Sequence, residues 1–380
     1  MNATVSIVRT TDSPHLREAV QNCLNLIGTD QIKNAKSILL KPNCLVDKKI
    51  AASSPELIRS IIEVIQDIKK GQDFKLYIGD SPGLLTKKSQ PIFRNLGIMD
   101  VIQATGGVTF VEFDGSEPPI QVQIPEGVRL KETLIAKIVE DVDLIVNIPK
   151  LKTHILSIYT GAIKNYWGTQ PGGTKPRNHL KGTSTETFSE VLTDLYSHFA
   201  KRRNLVIMEA MEGMEGTGPS SGHMRPLNVL LGGYDPVAVD AVSVAIVGHD
   251  AMKEVPHLRM CTERNLGIGK LDEIAIVGTP LSEVQVAKPF RFPSKTVAWA
   301  SGLFGPLAYR FTKKVPTLRR SKCTRCGNCA KICPGGAIQL TPYPHFNRRK
   351  CVQCLCCVEC CPSEALRVGI AGVMGLLGFQ

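Results

Sequence analysis

The stretch SILLKPN at residues 37–43, followed by SPELIRSIIEVIQDIKK at residues 54–70, sets the architecture. SILLK is a short apolar run bounded by polar residues, which reads as a buried strand. After a polar turn the pattern changes from a continuous run to a helical period. Ser54 stands at a cap position, Pro55 at the first helical position, and Leu57, Ile58, Ile61, Ile62 and Ile65 fall on one face. Strand, turn and amphipathic helix form the repeating unit of a parallel sheet.

The unit recurs outward from there. Further strands are expected at residues 74–78, 108–113, 143–148, 205–208, 227–231 and 274–277, with helices at 90–104, 188–202 and 237–247. Strands alternating with helices predict an α/β domain over residues 1–283, built on a mainly parallel sheet with helices on both faces. A chain of 380 residues exceeds one ordinary core, and cysteine usage marks the second unit: ten of thirteen cysteines follow residue 320.

Those cysteines are spaced for iron. Cys323-x2-Cys326-x2-Cys329-x3-Cys333-Pro334 is repeated as Cys351-x2-Cys354-x2-Cys357-x3-Cys361-Pro362. This is the bacterial ferredoxin spacing, in which three thiolates come from one loop and the fourth reaches across to the other cluster. Cys323, Cys326, Cys329 and Cys361 are therefore expected to hold one [4Fe–4S] cluster, and Cys351, Cys354, Cys357 and Cys333 a second. Zinc sites space two CxxC pairs differently, and disulfides need an oxidising compartment. The start MNATVSIVRT lacks a basic segment leading into an apolar one, so the expected setting is cytoplasmic. Residues 321–368 then form a small ferredoxin-like α+β domain, with a basic Pro-containing linker at 284–320 and an apolar tail at 369–380. Cys356 and Cys360 are extra to the motif and are expected to be small buried residues.

Charge is uneven. The net charge is +12, yet residues 284–358 hold fourteen Lys and Arg and no Asp or Glu, leaving −2 for the rest. Such a field suits docking of an acidic soluble electron donor such as ferredoxin or flavodoxin, and it also compensates anionic clusters. Nucleic acid fits poorly, because no aromatics interleave the basic residues at stacking spacing. The uncharged run 296–309 is too short to span a bilayer; its flanking cations allow peripheral membrane contact.

In open α/β sheets ligands bind beyond the C-terminal ends of strands, and the charged, Gly- and Pro-rich segments of this chain fall there. They are Lys41-Pro42-Asn43, Gly79-Asp80-Ser81-Pro82-Gly83, Pro149-Lys150-Leu151-Lys152-Thr153-His154 and the run EAMEGMEGTGPSSG at 209–222. Lys41, Lys150, Lys152, His154 and Lys164 would give a cationic rim for a carboxylate or phosphate. Asn43, Asn165 and Trp167 add hydrogen-bonding groups. Asp80, Glu209, Glu212 and Glu215 could pair with the lysines, bind a divalent ion or move protons. His154 and His179 are further general-acid candidates. Lys41, Lys150 and Lys152 are expected to fix a substrate, with His154 or Asp80 supplying protons. No P-loop, dinucleotide fingerprint or nucleophile triad is present.

KPN, GDSPG, NIPKLKTH, GAIKNYWG, the MEG…GTGP loop and Asp235-Pro236-Val237-Ala238-Val239-Asp240, followed by paired cluster motifs, together resemble one family. It comprises the bacterial and archaeal iron–sulfur proteins with an N-terminal domain of unknown function 362, and the similarity runs from about residue 5 to 365. Family members tend to carry Thr-Thr-His-Pro before the first long helix, where this chain has Ala52-Ser53-Ser54-Pro55, so no histidine stands there. The resemblance implies a cluster-bearing redox protein and names no substrate. The sequence thus favours an oxidoreductase passing low-potential electrons to an anionic small molecule. An electron-transfer module without chemistry of its own, or a metal- or cofactor-binding maturation protein, is the alternative.

Overall fold

The computed structural model describes residues 3–82, 88–115, 117–293 and 314–370. The apolar run 296–309 and the tail beyond 370 lie outside the described residues. Among the described residues no helix is long and apolar enough to cross a membrane.

A ten-stranded mixed sheet organises the N-terminal domain. Its strands are β1 (Ala3–Arg9), β2 (Ser37–Pro42), β3 (Lys75–Ile78) and β4 (Val108–Phe110); then, after the separate hairpin β5 (Ile120–Gln123) and β6 (Glu132–Ile135), β7 (Leu144–Ile148), β8 (Lys150–His154), β9 (Ile158–Thr160), β10 (Asn204–Glu215), β11 (His223–Gly233) and β12 (Ile274–Gly278). The spatial order is β12-β1-β11-β10-β7-β2-β3-β4, with β8 and β9 branching from β10. The run β10-β7-β2-β3-β4 is parallel throughout, while β11 is antiparallel to both β10 and β1.

Burial on both faces explains the continuous apolar strands. In β2, Ile38 and Leu40 face one core while Leu39 faces the other; in β7, Leu144 and Val146 oppose Ile145. Helices Leu16–Ile27, Pro55–Ile68 and Ile98–Thr105 pack on the first face. Helices Thr185–Phe199, Pro236–Ile246 and Pro256–Glu263 cover the second. Helix Pro55–Ile68 starts as its sequence dictates: Ser54 Oγ accepts from Leu57 N–H with Pro55 in the first turn. It buries Leu57, Ile58, Ile61, Ile62, Val64 and Ile65, each worth about 1.5–3 kcal/mol.

Three local expectations are revised. The helix expected over 90–104 is two, Gln90–Asn95 and Ile98–Thr105, because Gly97 takes a left-handed conformation at φ 83° between them. The polar segment after β7 becomes a strand, since Lys150 and Lys152 pair with β10. The acid-rich segment 209–215 is likewise the far half of β10, paired with β11 through a bulge between Ala210 and Glu212.

Chain order reverses between β2 and β7. From β2 the sheet grows through β3 to β4, whereas β7 and β10 lie on its other side. A crevice opens at the C-terminal ends of strands where the order reverses. Lys41 ends β2 there, and Lys150 and Lys152 follow β7.

The C-terminal unit pairs β13 (Lys314–Leu318) with β16 (Leu366–Ile370), and β14 (Ile338–Leu340) with β15 (Pro344–Phe346), around two short helices, Asn328–Ile332 and Cys356–Glu359. Its two cysteine loops share one backbone course. Arg325, Gly327 and Gly336 have positive φ (57°, 78° and 56°), and so do Gln353, Leu355 and Glu364 at the matching places (62°, 59° and 54°). This unit contacts the sheet domain through its only two acids. Glu359 Oε1 lies 3.2 Å from His154 Nε2, and Glu364 Oε1 lies 2.7 Å from Lys48 Nζ.

Candidate functional site

The strand-end segments converge on a small cavity of about 50 Å³. Asn43, Asp80, Lys152, Lys164, Asn165, Trp167 and His179 line it, joined by Ser81, Lys175 and, from the cluster domain, Glu359. Lys41, Lys150 and His154 lie just behind this lining, each almost fully buried.

Most of the lysines expected at an open rim are instead buried and paired. Lys41 Nζ donates to Asp80 Oδ1 at 2.7 Å, and Asp80 Oδ2 accepts from Cys44 N–H at 2.8 Å. Lys150 Nζ donates to Glu209 Oε1 at 2.5 Å, while Glu209 Oε2 accepts from Ser54 N–H at the helix start. These two pairs tie β2 to the β3 loop and β8 to β10. Asp80, held by a cation and a backbone N–H, is arranged as a fixed anion.

Lys152 Nζ donates to Asn43 Oδ1 and, at 2.7 Å, to the Ala51 carbonyl. Burial, with Lys164 and Lys150 nearby, lowers its pKa to about 7. Asn43 Nδ2 in turn donates to Asn165 Oδ1 at 3.2 Å, and Asn165 Nδ2 to Asn147 Oδ1 at 2.7 Å. This amide chain fixes the GAIKNYWG segment over the strand ends.

Both glycines bounding that segment leave room for buried polar groups. A Cβ on Gly168 would collide with the Asp80 carboxylate and the Lys41 ammonium; one on Gly161 would collide with the Asp240 carboxylate and the Tyr159 hydroxyl. Asp240 takes the N–H groups of Ala162 and Ile163 at 2.6 and 2.9 Å, anchoring the start of the segment. Gly168→Ala is expected to cost about 1–3 kcal/mol through overpacking, seen as a lower denaturant midpoint. An unchanged midpoint would show that the loop yields freely.

One buried ring carries the far wall. Phe188 stacks on His179 with centroids 4.6 Å apart, meets Trp167 edge-on at 5.3 Å, stacks on His154 at 6.4 Å, and has Lys164 Nζ over its face at 6.0 Å. His154 Nδ1 accepts from the Leu156 and Ser157 N–H groups, both at 3.1 Å, which assigns its proton to Nε2. Burial and Lys164 depress the His154 pKa to about 4, and burial takes His179 to about 3. Burial alone would raise Glu359, but His154 and Lys164 hold its carboxyl down at about 2. With His154 neutral near pH 7, Lys164 is the cation that balances Glu359.

Glu359 and Lys175 escaped the sequence reading. Lys175 Nζ caps the Ser81 carbonyl at 2.6 Å. Glu359 sits where Lys331 stands in the first cysteine run, and the signal available was its isolation: it and Glu364 are the only acids after Glu283.

The cysteine geometry suits a [4Fe–4S] cubane. Cys323, Cys326, Cys329 and Cys361 line one hollow, three from one loop and the fourth from the other. Cys357 lies within electrostatic reach of Cys354, Cys351 and Cys333, the reciprocal set. The fourth cysteine of each run accepts a backbone N–H, Ala337 to Cys333 Sγ at 3.2 Å and Ala365 to Cys361 Sγ at 3.3 Å. Hydrogen bonds of this kind to sulfur help set a cluster's potential. Among the described residues no three His, Cys, Asp or Glu side chains converge on a single-ion site; a cubane holds its thiolates further apart than one ion does.

Comparison with known proteins agrees with this layout. Residues 316–339 match the 4Fe-4S binding domain. A thylakoid-associated protein of Synechocystis sp. is 28% identical over 223 residues, which cover 58% of this chain and 65% of that protein. Two solved structures are more distant. The lactate racemase apoprotein from Thermoanaerobacterium thermosaccharolyticum is 14% identical with a TM-score of 0.38, over 54% of this chain and 50% of that one. A Thermotoga maritima protein is 13% identical with a TM-score of 0.37, over 58% and 54%. Residues 38–245, more than half of the sequence, match the family described as Domain of unknown function (DUF362); the chain belongs to that family and carries a 4Fe-4S binding domain at its C-terminal end.

Proposed function

We propose that the chain is an oxidoreductase that delivers low-potential electrons to a small anion held in the strand-end cavity. The observation that carries this reading is the position of Glu359. It lies two residues from each of Cys357 and Cys361 and lines the same cavity as Lys152, Lys164 and Asn165. One residue of the cavity wall is thus two positions along the chain from cluster ligands. Two [4Fe–4S] clusters, when bound, supply single electrons at low potential.

The residues of the chain take distinct parts in this reading. Lys164 and Lys152 attract the anion, and Asn43 and Asn165 orient it. Lys152, with a pKa near neutrality, is best matched to donate a proton, whereas Lys41, Lys150 and Asp80 hold the walls. His154 Nε2 stands 3.2 Å from Glu359 Oε1. Cys326 is exposed, and so are Arg320, Lys322, Arg325, Lys331, Arg349 and Lys350 of the same domain. That basic face suits an acidic donor such as ferredoxin or flavodoxin in a reducing cytoplasm.

The experiment is anaerobic. Dithionite-reduced protein with about eight irons per chain is mixed with small anionic acceptors and its reoxidation followed by visible absorbance. Lys152→Ala is expected to slow reoxidation by roughly 10²-fold, the worth of a positioned proton donor, with iron content unchanged. Equal rates in variant and parent would remove the cavity from the reaction.

A further inference from the structure

The cavity has donors with nothing to donate to. Trp167 and His179 are 6% and 1% exposed and both line it, yet among the described residues Trp167 Nε1 and His179 Nδ1 have no hydrogen-bond partner. An unpaired buried N–H is costly, and native structures keep few. Lys164 Nζ, on the same wall, stands 6.0 Å over the Phe188 ring with Glu359 within electrostatic reach. Across the space, Glu359 Oε1 lies 3.2 Å from His154 Nε2 without the angle of a hydrogen bond.

Space and charge limit what could satisfy these groups. About 50 Å³ accommodates roughly three or four waters or atoms of that size. A nucleotide, a sugar phosphate or a dicarboxylate is too large. Asp80 is taken by Lys41 and Asp114 stands within electrostatic reach of Lys175, so Lys152, when protonated, and Lys164 face the single charge of Glu359. One positive charge is left over. The rings of Trp167 and His179, backed by Phe188, favour a flat guest over a tetrahedral one.

We propose that the cavity is a binding site for a small planar monoanion of the one- or two-carbon carboxylate class, held by Lys164 Nζ, Trp167 Nε1–H and His179, with Glu359 limiting the bound charge to one. This rests on the reading of the cavity as the ligand site, but binding itself needs no electron. Glu359 opposes the guest, so its removal tightens binding while removal of Lys164 abolishes it. A purely structural role for either residue would not produce effects of opposite sign.

The test is calorimetric titration of sodium formate into oxidised, cluster-reconstituted full-length protein, with inorganic phosphate as the tetrahedral comparison. One formate is expected to bind per chain at millimolar concentration or below, with no saturable heat from phosphate. Trp167→Phe keeps the ring and is expected to weaken formate about tenfold, the value of one buried hydrogen bond. Lys164→Met is expected to abolish binding, and Glu359→Gln to tighten it about tenfold, visible absorbance confirming the clusters in each variant. No saturable formate heat, or equal affinity in parent, Trp167→Phe and Lys164→Met, overturns the site. Formate that binds while Lys152→Ala leaves reoxidation unchanged would sink the electron-delivery reading instead.

Discussion

Asp80→Asn is expected to destabilise the N-terminal domain by about 3–5 kcal/mol, more than any surface substitution in the chain. The reason lies in what it leaves behind. Lys41 is fully buried and, among the described residues, its ammonium pairs with one counter-charge, Asp80 Oδ1 at 2.7 Å, together with the Pro42 carbonyl at 3.2 Å. Removing the carboxylate strands a cation between parallel strands where no water reaches it. Lys41→Met strands the carboxylate instead and is expected to cost a similar amount. Combining Lys41→Met with Asp80→Asn removes both charges while keeping an acceptor for Cys44 N–H, and a large part of the loss should return. By contrast, Lys253 and Asp250 pair at 3.0 Å with side chains 81% and 45% exposed, and breaking that pair is worth about 0–1 kcal/mol. Guanidinium midpoints of the three variants decide the matter. Additive losses in the double variant would mean that the two groups do not act as a pair.

Why a fold would keep two such pairs beside one crevice follows from the strand ends. Asp80 and Glu209 lie on neighbouring segments that must stay within reach of β2 and β8, and each takes a lysine and a backbone N–H at once. The pairs fix loop positions that hydrophobic burial, which has no direction, would leave loose.

The sequence shows the central strands plainly, because β2 and β7 are covered on both faces and so read as uninterrupted apolar runs. It also shows where ligands would gather, since polar segments follow those strands. What it hides is whether a lysine there is solvated or buried. That depends on Asp80, thirty-nine residues from Lys41 in sequence, and on Glu209, fifty-nine from Lys150. Glu359 is hidden more deeply, because its partner His154 belongs to the other domain. β1 carries its signal in the alternation Val5-Ser6-Ile7, but its partners are β11 and β12, far along the chain. Residues 209–215 look like a loop because their acids and glycines suit one, yet pairing with β11 keeps them extended.

Acid is expected to destabilise the domain through its buried histidines. His257 is the cleanest case: it is fully buried, stacks on Tyr159 with centroids 6.4 Å apart, and neither ring nitrogen has a hydrogen-bond partner among the described residues. Burial, with smaller contributions from Lys164 and His154, lowers its pKa from 6.5 to about 3. The folded state therefore binds fewer protons than the unfolded chain between those values, so stability falls as pH drops below the unfolded pKa. Near pH 5 the difference is about 2 kcal/mol for this one residue, and His179, also lowered to about 3 by burial, adds a similar amount. His257→Leu has nearly the same volume and nothing to protonate. Its melting temperature should match or exceed the parent's at neutral pH, where two unsatisfied nitrogens are gone. Below about pH 6 the two curves should separate, with the parent falling faster by about 2 kcal/mol by pH 5. Cluster loss in acid affects both proteins alike, so the difference between them isolates the histidine. Parallel curves would mean that His257 already shares a proton with a group inside the core, and that burial does not hold it neutral.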